Sequence, residues 1–245
     1  MSTVTLLTVA AVLALGGCTS TPPTPPVGPL ESEGFETFVT PRSFDGPGTI
    51  FRIDAEKKRY PVAEITFKVR EGEEALPKYS SSRVLAMNNL LEALGASTAK
   101  IPASIKANLS RTTTVSIEAS TGRRQYVRDD DLTAALRGWA TQAKPTGESV
   151  YYLIRETIST PELSYKVDKN WLASAELDVK VLKAAGYSGD AKVSGGDILE
   201  MNRTFSKPLN VWFKAEKIVI RPALGAGPGQ YLIERTPISA SILGL

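Results

Sequence analysis

Histidine is absent from this 245-residue chain, and cysteine occurs once, at Cys18. Without histidine there is no Ser-His-Asp triad and no histidine-ligated zinc. With one cysteine there is no intramolecular disulfide. Charge is also missing where it would be most telling. The 29 basic and 26 acidic residues leave a net +3, too small and too mixed for a nucleic-acid binder and only mildly attractive to an anionic surface. Residues 4–17 carry no charge at all. What remains is a composition of 42% hydrophobic and 22% charged residues, which supplies a core for one domain or two small ones.

The uncharged N-terminal run, Val-Thr-Leu-Leu-Thr-Val-Ala-Ala-Val-Leu-Ala-Leu-Gly-Gly, is shorter than the ~20 residues of a membrane-spanning helix and has the aliphatic character of a signal-peptide core. It ends in Leu15-Gly16-Gly17-Cys18. That motif resembles the lipobox of bacterial lipoprotein precursors, and the resemblance covers the first 18 residues only. It implies that residues 1–17 are removed as a signal peptide and that Cys18 receives a lipid on its thiol. Thr19, which is not the Asp that retains such proteins in an inner membrane, implies an outer-membrane address in a host with two membranes. A cysteine committed to lipid is also withdrawn from thiolate metal ligation.

Residues 19–30 contain five of the sixteen prolines and no charge. Such a segment favours extended polyproline II and acts as a semi-rigid spacer, reaching ~35 Å at ~3.1 Å per residue. The expected organisation is therefore a signal peptide (1–17), a lipidated cysteine with its linker (18–33) and one folded domain (34–245).

Within that domain the expected fold class is α+β, with a mainly antiparallel sheet and two helices. The Asp45-Gly46-Pro47-Gly48 turn precedes a strand at 49–53. Ala63, Ile65, Phe67 and Val69 alternate with polar residues as in a strand with one wet face. A first helix is expected over 81–94, with serines 80–82 at its start, Val84, Met87, Leu91 and Leu94 as its stripe, and Gly95 as its stop. Residues 113–119 alternate again, and 123–127 read as their hairpin partner. Asp129-Asp130-Asp131 opens a second helix carrying Leu132, Ala135, Leu136 and Trp139. Strands are expected at 150–158, 175–181, 211–220 and 230–235, the alternation at 175–181 being the cleanest. Two GPG turns, at 46–48 and 227–229, each precede a strand, a coincidence of turn chemistry rather than a duplication.

The motifs with catalytic associations fall short of chemistry. Ser97-Thr98-Ala99-Lys100 matches S-x-x-K, but the serine follows a helix stop and no companion S-D-N or K-T-G motif is present. Three consecutive aspartates do not converge on one cation and lack the D-x-D-x-D-G spacing; at a helix start they cap N–H groups and complement the dipole. The Gly-rich segment 225–229 has no following Lys-Ser/Thr, and Pro228 lacks an N–H. Gly186-Tyr187-Ser188-Gly189 is not a nucleophile elbow. Arg123, Arg124 and Arg128 around Tyr126 make a footprint too small for single-stranded nucleic acid. Trp139, Trp171 and Trp212 are read as core residues. No catalytic, cofactor or metal residue is assigned, and Cys18 is the one modified residue expected. The functional expectation is a lipid-anchored envelope lipoprotein acting as a non-enzymatic binding, scaffold or assembly subunit, with the membrane and other envelope proteins as partners. The alternatives are an envelope hydrolase with a Ser/Lys or carboxylate site, and a protein that inserts β-strands into membranes.

Overall fold

The computed structural model describes residues 29–239, apart from 57, 63–64, 73–78, 174–175, 195 and 224–229. Its spine is a pair of strands far longer than the usual five or six residues. The eleven strands in chain order are β1 (Glu36–Arg42), β2 (Ile50–Ile53), β3 (Arg59–Pro61), β4 (Val69–Gly72), β5 (Tyr79–Ala86), β6 (Thr112–Ala119), β7 (Arg123–Val127), β8 (Ser149–Asp168), β9 (Ala191–Val193), β10 (Ile198–Pro222) and β11 (Tyr231–Ile238). All belong to one sheet, and every pairing is antiparallel. Apart from α4 the helices are short: α1 (Pro29–Ser32), α2 (Met87–Ala93), α3 (Ala103–Lys106), α4 (Asp129–Ala143), α5 (Lys169–Ala173) and α6 (Val179–Ala184).

β8 and β10 pair from Ser149↔Ile220 to Asp168↔Ile198. The free flank of β8 receives β2, β7 and β6 in turn, each backed by an outer strand: β3, β4 and β5. The free flank of β10 receives β11, β1 and β9. The register of the long pair shifts at three places, between Thr204 and Leu209, between Asn210 and Trp212, and between Lys214 and Ala215, and the first is the widest. Between Thr204↔Glu162 and Leu209↔Thr160 the register slips, so residues 205–208 of β10 face Pro161 of β8. Pro161 and Pro208 have no N–H to give the ladder, which is why the slip falls there. It divides the sheet into an upper half (149–160 with 209–222) and a lower half (162–168 with 198–204).

The lower half buries one face. Val115, Ile117, Leu163, Tyr165, Val167 and Met201 point into the largest core together with α2, α6 and Leu30. The sheet curls so that β5 reaches β1. Thr37 Oγ1 donates to Ser81 Oγ at 3.0 Å, Trp212 Nε1 donates to the same oxygen at 2.8 Å, and the Arg83 guanidinium reaches the Thr37 carbonyl. The upper half buries both faces. Leu132, Leu136, Trp139 and Ala140 of α4 cover Tyr151, Leu153, Ile218 and Ile220 on one side. Phe38, Phe51, Ile154, Phe213 and Ala215 form a smaller cluster on the other.

The expected α+β class is corrected by this architecture: one eleven-stranded antiparallel sheet dominates, and the helices are few and short. Two assignments drove the error. Residues 79–86 are a strand paired over eight positions with β6, and the helix begins only at Met87. The serines that looked like caps sit in this strand, because long-range pairing overrides a locally helical period. Of the strand expected at 175–181, the described residues 176–181 form a turn and the start of a helix. Asp178 caps α6 by accepting from Val181 N at 2.8 Å, and Leu177 and Leu182 are the buried residues. The strands at 112–119 and 123–127 exist but are not hairpin partners; each pairs separately with β8. Residues 65–68 run without ladder bonds, although Ile65 and Phe67 do pack under α4. The strands at 50–53 and 231–238, the helix from Asp129 and the stop at Gly95 (φ +79°) are present. Trp212 is fully buried and Trp139 nearly so, while Trp171 packs against the large core from its edge.

Candidate functional site

The expected lipidation residue, Cys18, and the Gly-rich segment 225–229 lie outside the described residues. Ser97 ends an extended stretch before a 3-10 turn, Thr98–Lys100. Its N–H donates to Ala185 O at 2.8 Å and its carbonyl accepts from Lys100 N at 3.0 Å, which ties the turn to α6 by backbone alone. The Ser97 and Lys100 side chains are both exposed, and no hydrogen bond joins them among the described residues. A lysine that activates a serine must touch it. Gly189 has a packing reason for being glycine. A Cβ there would stand 1.7 Å from the Asn202 carbonyl, beside the buried Tyr187.

The three aspartates of α4 diverge. Asp129 pairs with Arg155 (2.9 Å) and Arg235 (2.9 Å), Asp130 with Arg128 (3.3 Å), and Asp131 with Arg70 (3.1 Å). They lie in the first turn, where carboxylates complement the helix dipole, but no side chain caps the helix at Arg128. Their hydrogen bonds go to arginines. The basic cluster is spent in the same way: Arg123 meets Glu71 at 3.2 Å, and Arg124 meets Glu156, a pair that Lys214 joins at 3.4 Å.

The densest charged assembly was not legible in the sequence, since its members come from four elements. Glu216 of β10 is buried, 6% exposed. It accepts from Arg155 of β8 at 2.8 Å and from Arg235 of β11 at 2.7 and 3.0 Å, and both arginines go on to Asp129 at the head of α4. Burial pushes the Glu216 carboxyl up, but the hydrogen bonds from Arg235 and Arg155 outweigh it and hold it below the usual carboxylate range. The Arg235 hydrogen bond does the same for Asp129, against a smaller effect of burial. Burial lowers the Arg235 guanidinium, and its bonds to Glu216 and Asp129 raise it above the ordinary value. Groups held so firmly in one protonation state are braces rather than proton carriers. A second triplet, Arg42 and Arg59 on Asp45 (2.7 and 2.9 Å), fixes the turn before β2.

Two concave regions among the described residues bear on function. A polar groove of about 540 Å³ runs over the outer face of the lower sheet. Its three glutamates are engaged: Glu118 with Lys166 at 2.8 Å, Glu200 with Lys192 at 3.4 Å, and Glu162 with Ser120 at 2.5 Å. Among the described residues no group of three or more acidic side chains is placed to hold a metal ion. A larger cleft, about 940 Å³, opens between the β2–β3 hairpin and the loop that leaves α4. Among the described residues no helix is long and apolar enough to cross a membrane.

No family model matches the chain, and no curated protein matches it. Among solved structures it is similar to a bacterial gasdermin from Bradyrhizobium tropiciagri, at 13% identity and a TM-score of 0.47, over 83% of this chain and 88% of that one. The gasdermin is a distant structural neighbour.

Proposed function

We propose that this chain is a lipid-anchored cell-envelope protein that works without catalysis, as a binding, scaffold or assembly subunit. The lipid on Cys18 holds it at a membrane, the outer one in a host with two, and its sheet surface is presented to other envelope proteins. The observation that carries the anchor is the uncharged run ending in Leu15-Gly16-Gly17-Cys18. The non-catalytic part is supported by the fate of the buried ionisable groups, which among the described residues converge in ion pairs that tie strand to strand and strand to α4. Cys18→Ala is expected to leave an unlipidated precursor of full length. Recovery of that variant in the membrane fraction at the mature size defeats the reading.

A second reading, insertion of strands into a bilayer, is favoured by one feature. β8 and β10 span 20 and 25 residues, twice the ~9–11 residues a transmembrane strand needs. Both faces of their upper halves are already buried in protein, so insertion requires that α4 leave the sheet. Dye release from vesicles by the purified chain would replace the tethered-subunit reading with this one, and intact vesicles dispose of it.

A further inference from the structure

The larger cleft has a floor of two aromatic residues. Tyr151 of β8 and Trp139 of α4 meet edge to face, with centroids 4.7 Å apart and planes at 78°. One wall is the β2–β3 hairpin, where Arg52 and Tyr60 sit directly opposite each other in the register and so share a face. The other wall is the loop leaving α4, which starts at Lys144 in a left-handed conformation (φ 45°). Tyr60 is 46% exposed, and the Lys58 ammonium lies over its ring, 5.5 Å from the centroid.

Arg52 is the unusual member. Other arginines of this end of the sheet finish on carboxylates, as Arg42 and Arg59 do on Asp45 and Arg155 and Arg235 do on Glu216. Arg52 makes no ion pair among the described residues. Its guanidinium lies over the Tyr151 ring, 4.7 Å from the centroid, and donates to the Tyr151 hydroxyl. The nearest acid in sequence, Asp54, is occupied by the Lys58 N–H at 2.7 Å and the Tyr60 hydroxyl at 2.9 Å. Glu148 is the one carboxylate lining the cleft, against the two cations Arg52 and Lys144. One bond to a hydroxyl leaves most of the five guanidinium N–H donors unspent. The contact with the Tyr151 ring and the bond to its hydroxyl also hold the fork in place, which lowers the cost of ordering it on a ligand.

We propose that this cleft binds a small organic acid with a planar or apolar body. The carboxylate takes the Arg52 fork in a bidentate pair, and the body lies along Tyr60 and the rim of the Trp139–Tyr151 floor. Aromatic walls with one or two fixed polar groups are the usual make-up of a small-molecule site, and the net positive lining selects an anion over a cation or a neutral sugar. This site is independent of the anchor and of the non-catalytic reading above.

The test is titration of the full-length protein with 2-naphthoate and with its neutral isostere 2-naphthamide, followed by the Trp139 indole N–H resonance. The expected result is saturable naphthoate binding, with naphthamide weaker by on the order of tenfold. Arg52→Gln should weaken naphthoate by a similar factor and leave naphthamide unchanged. Thr146→Trp, which fills the mouth without touching Arg52, should abolish both. Melting curves of each variant are taken alongside. If Arg52→Gln lowers the melting temperature, Arg52→Lys, which keeps the charge and loses the fork, must still weaken naphthoate. Absence of saturation, equal affinity for the acid and the amide, or binding indifferent to Arg52→Gln or Thr146→Trp overturns the proposal.

Discussion

The two halves of the sheet use the same two strands and hold them in opposite ways. Below the Pro161 slip, β8 and β10 bury one face in a single large core and leave the other polar, with Glu118–Lys166 and Glu200–Lys192 lying on it as half-exposed pairs. Above the slip both faces are covered, by the edge of that core at Ile158, Val211 and Trp212 and beyond it by two small clusters, and the charged groups move inward to brace the elements together. Stability in the lower half therefore follows apolar area. In the upper half a thin core is supplemented by fixed electrostatics, whose net value is modest because desolvation opposes it. A thin layer covered by one helix is also the part of the molecule that has least to lose by opening.

The largest effect that follows is at Trp212. It is fully buried where the sheet curls, and its indole N–H satisfies Ser81. Trp212→Ala removes the largest buried side chain and leaves the Ser81–Thr37 pair facing a cavity. The expected loss is about 3–5 kcal/mol, read as a drop in urea midpoint with unchanged m-value. A loss under about 1 kcal/mol, the scale of a well-tolerated core change, would mean that apolar area does not govern the large core, which reaches past the slip to Trp212.

How far the sequence foretold this depended on whether the deciding partner was local. The helix from Asp129 and its apolar stripe were readable, since a 3.6-residue period needs no outside partner, and so were the strands at 112–119 and 123–127. Residues 79–86 were not. Tyr79, Ser81 and Leu85 become one face of a strand only because β6 lies beside them, and Val84, taken for part of a helical stripe, is 39% exposed there. The alternation at 175–181 failed for the converse reason. A single side chain, Asp178, offers its oxygen to Val181 N, and that local bond decides for helix. Leu30 closes a segment whose prolines suggested only a spacer, yet it is wholly buried. The brace at Glu216 had no signal at all. Asp129, Arg155, Glu216 and Arg235 are far apart in the chain, and only the β8–β10–β11 register brings them together. The same holds for the cleft at Arg52, whose floor joins residues 139 and 151 to a hairpin nearly a hundred positions earlier.

A smaller effect is expected at Glu216, and its pH dependence separates the charged brace from the large core. Glu216→Gln keeps the shape but loses the charge that Arg155 and Arg235 share, while Asp129 remains to hold both arginines from a more exposed position. At neutral pH the expected cost is roughly 1–2 kcal/mol, below that of Trp212→Ala, with faster amide exchange confined to α4 and β11. The sign with acid follows from the folded carboxyls of Glu216 and Asp129 being depressed. Their contribution is complete above the unfolded carboxylate values of about 4 and is lost as the pH falls through the lower folded values. The wild-type protein should therefore lose stability in that window faster than Glu216→Gln does, and the gap between the two should close at the acid end while staying constant from about pH 5 upward. Trp212→Ala should instead run parallel to the wild type at every pH. A Glu216→Gln curve that also runs parallel would mean that the brace adds nothing electrostatic, and the upper half would then be held by its apolar packing alone.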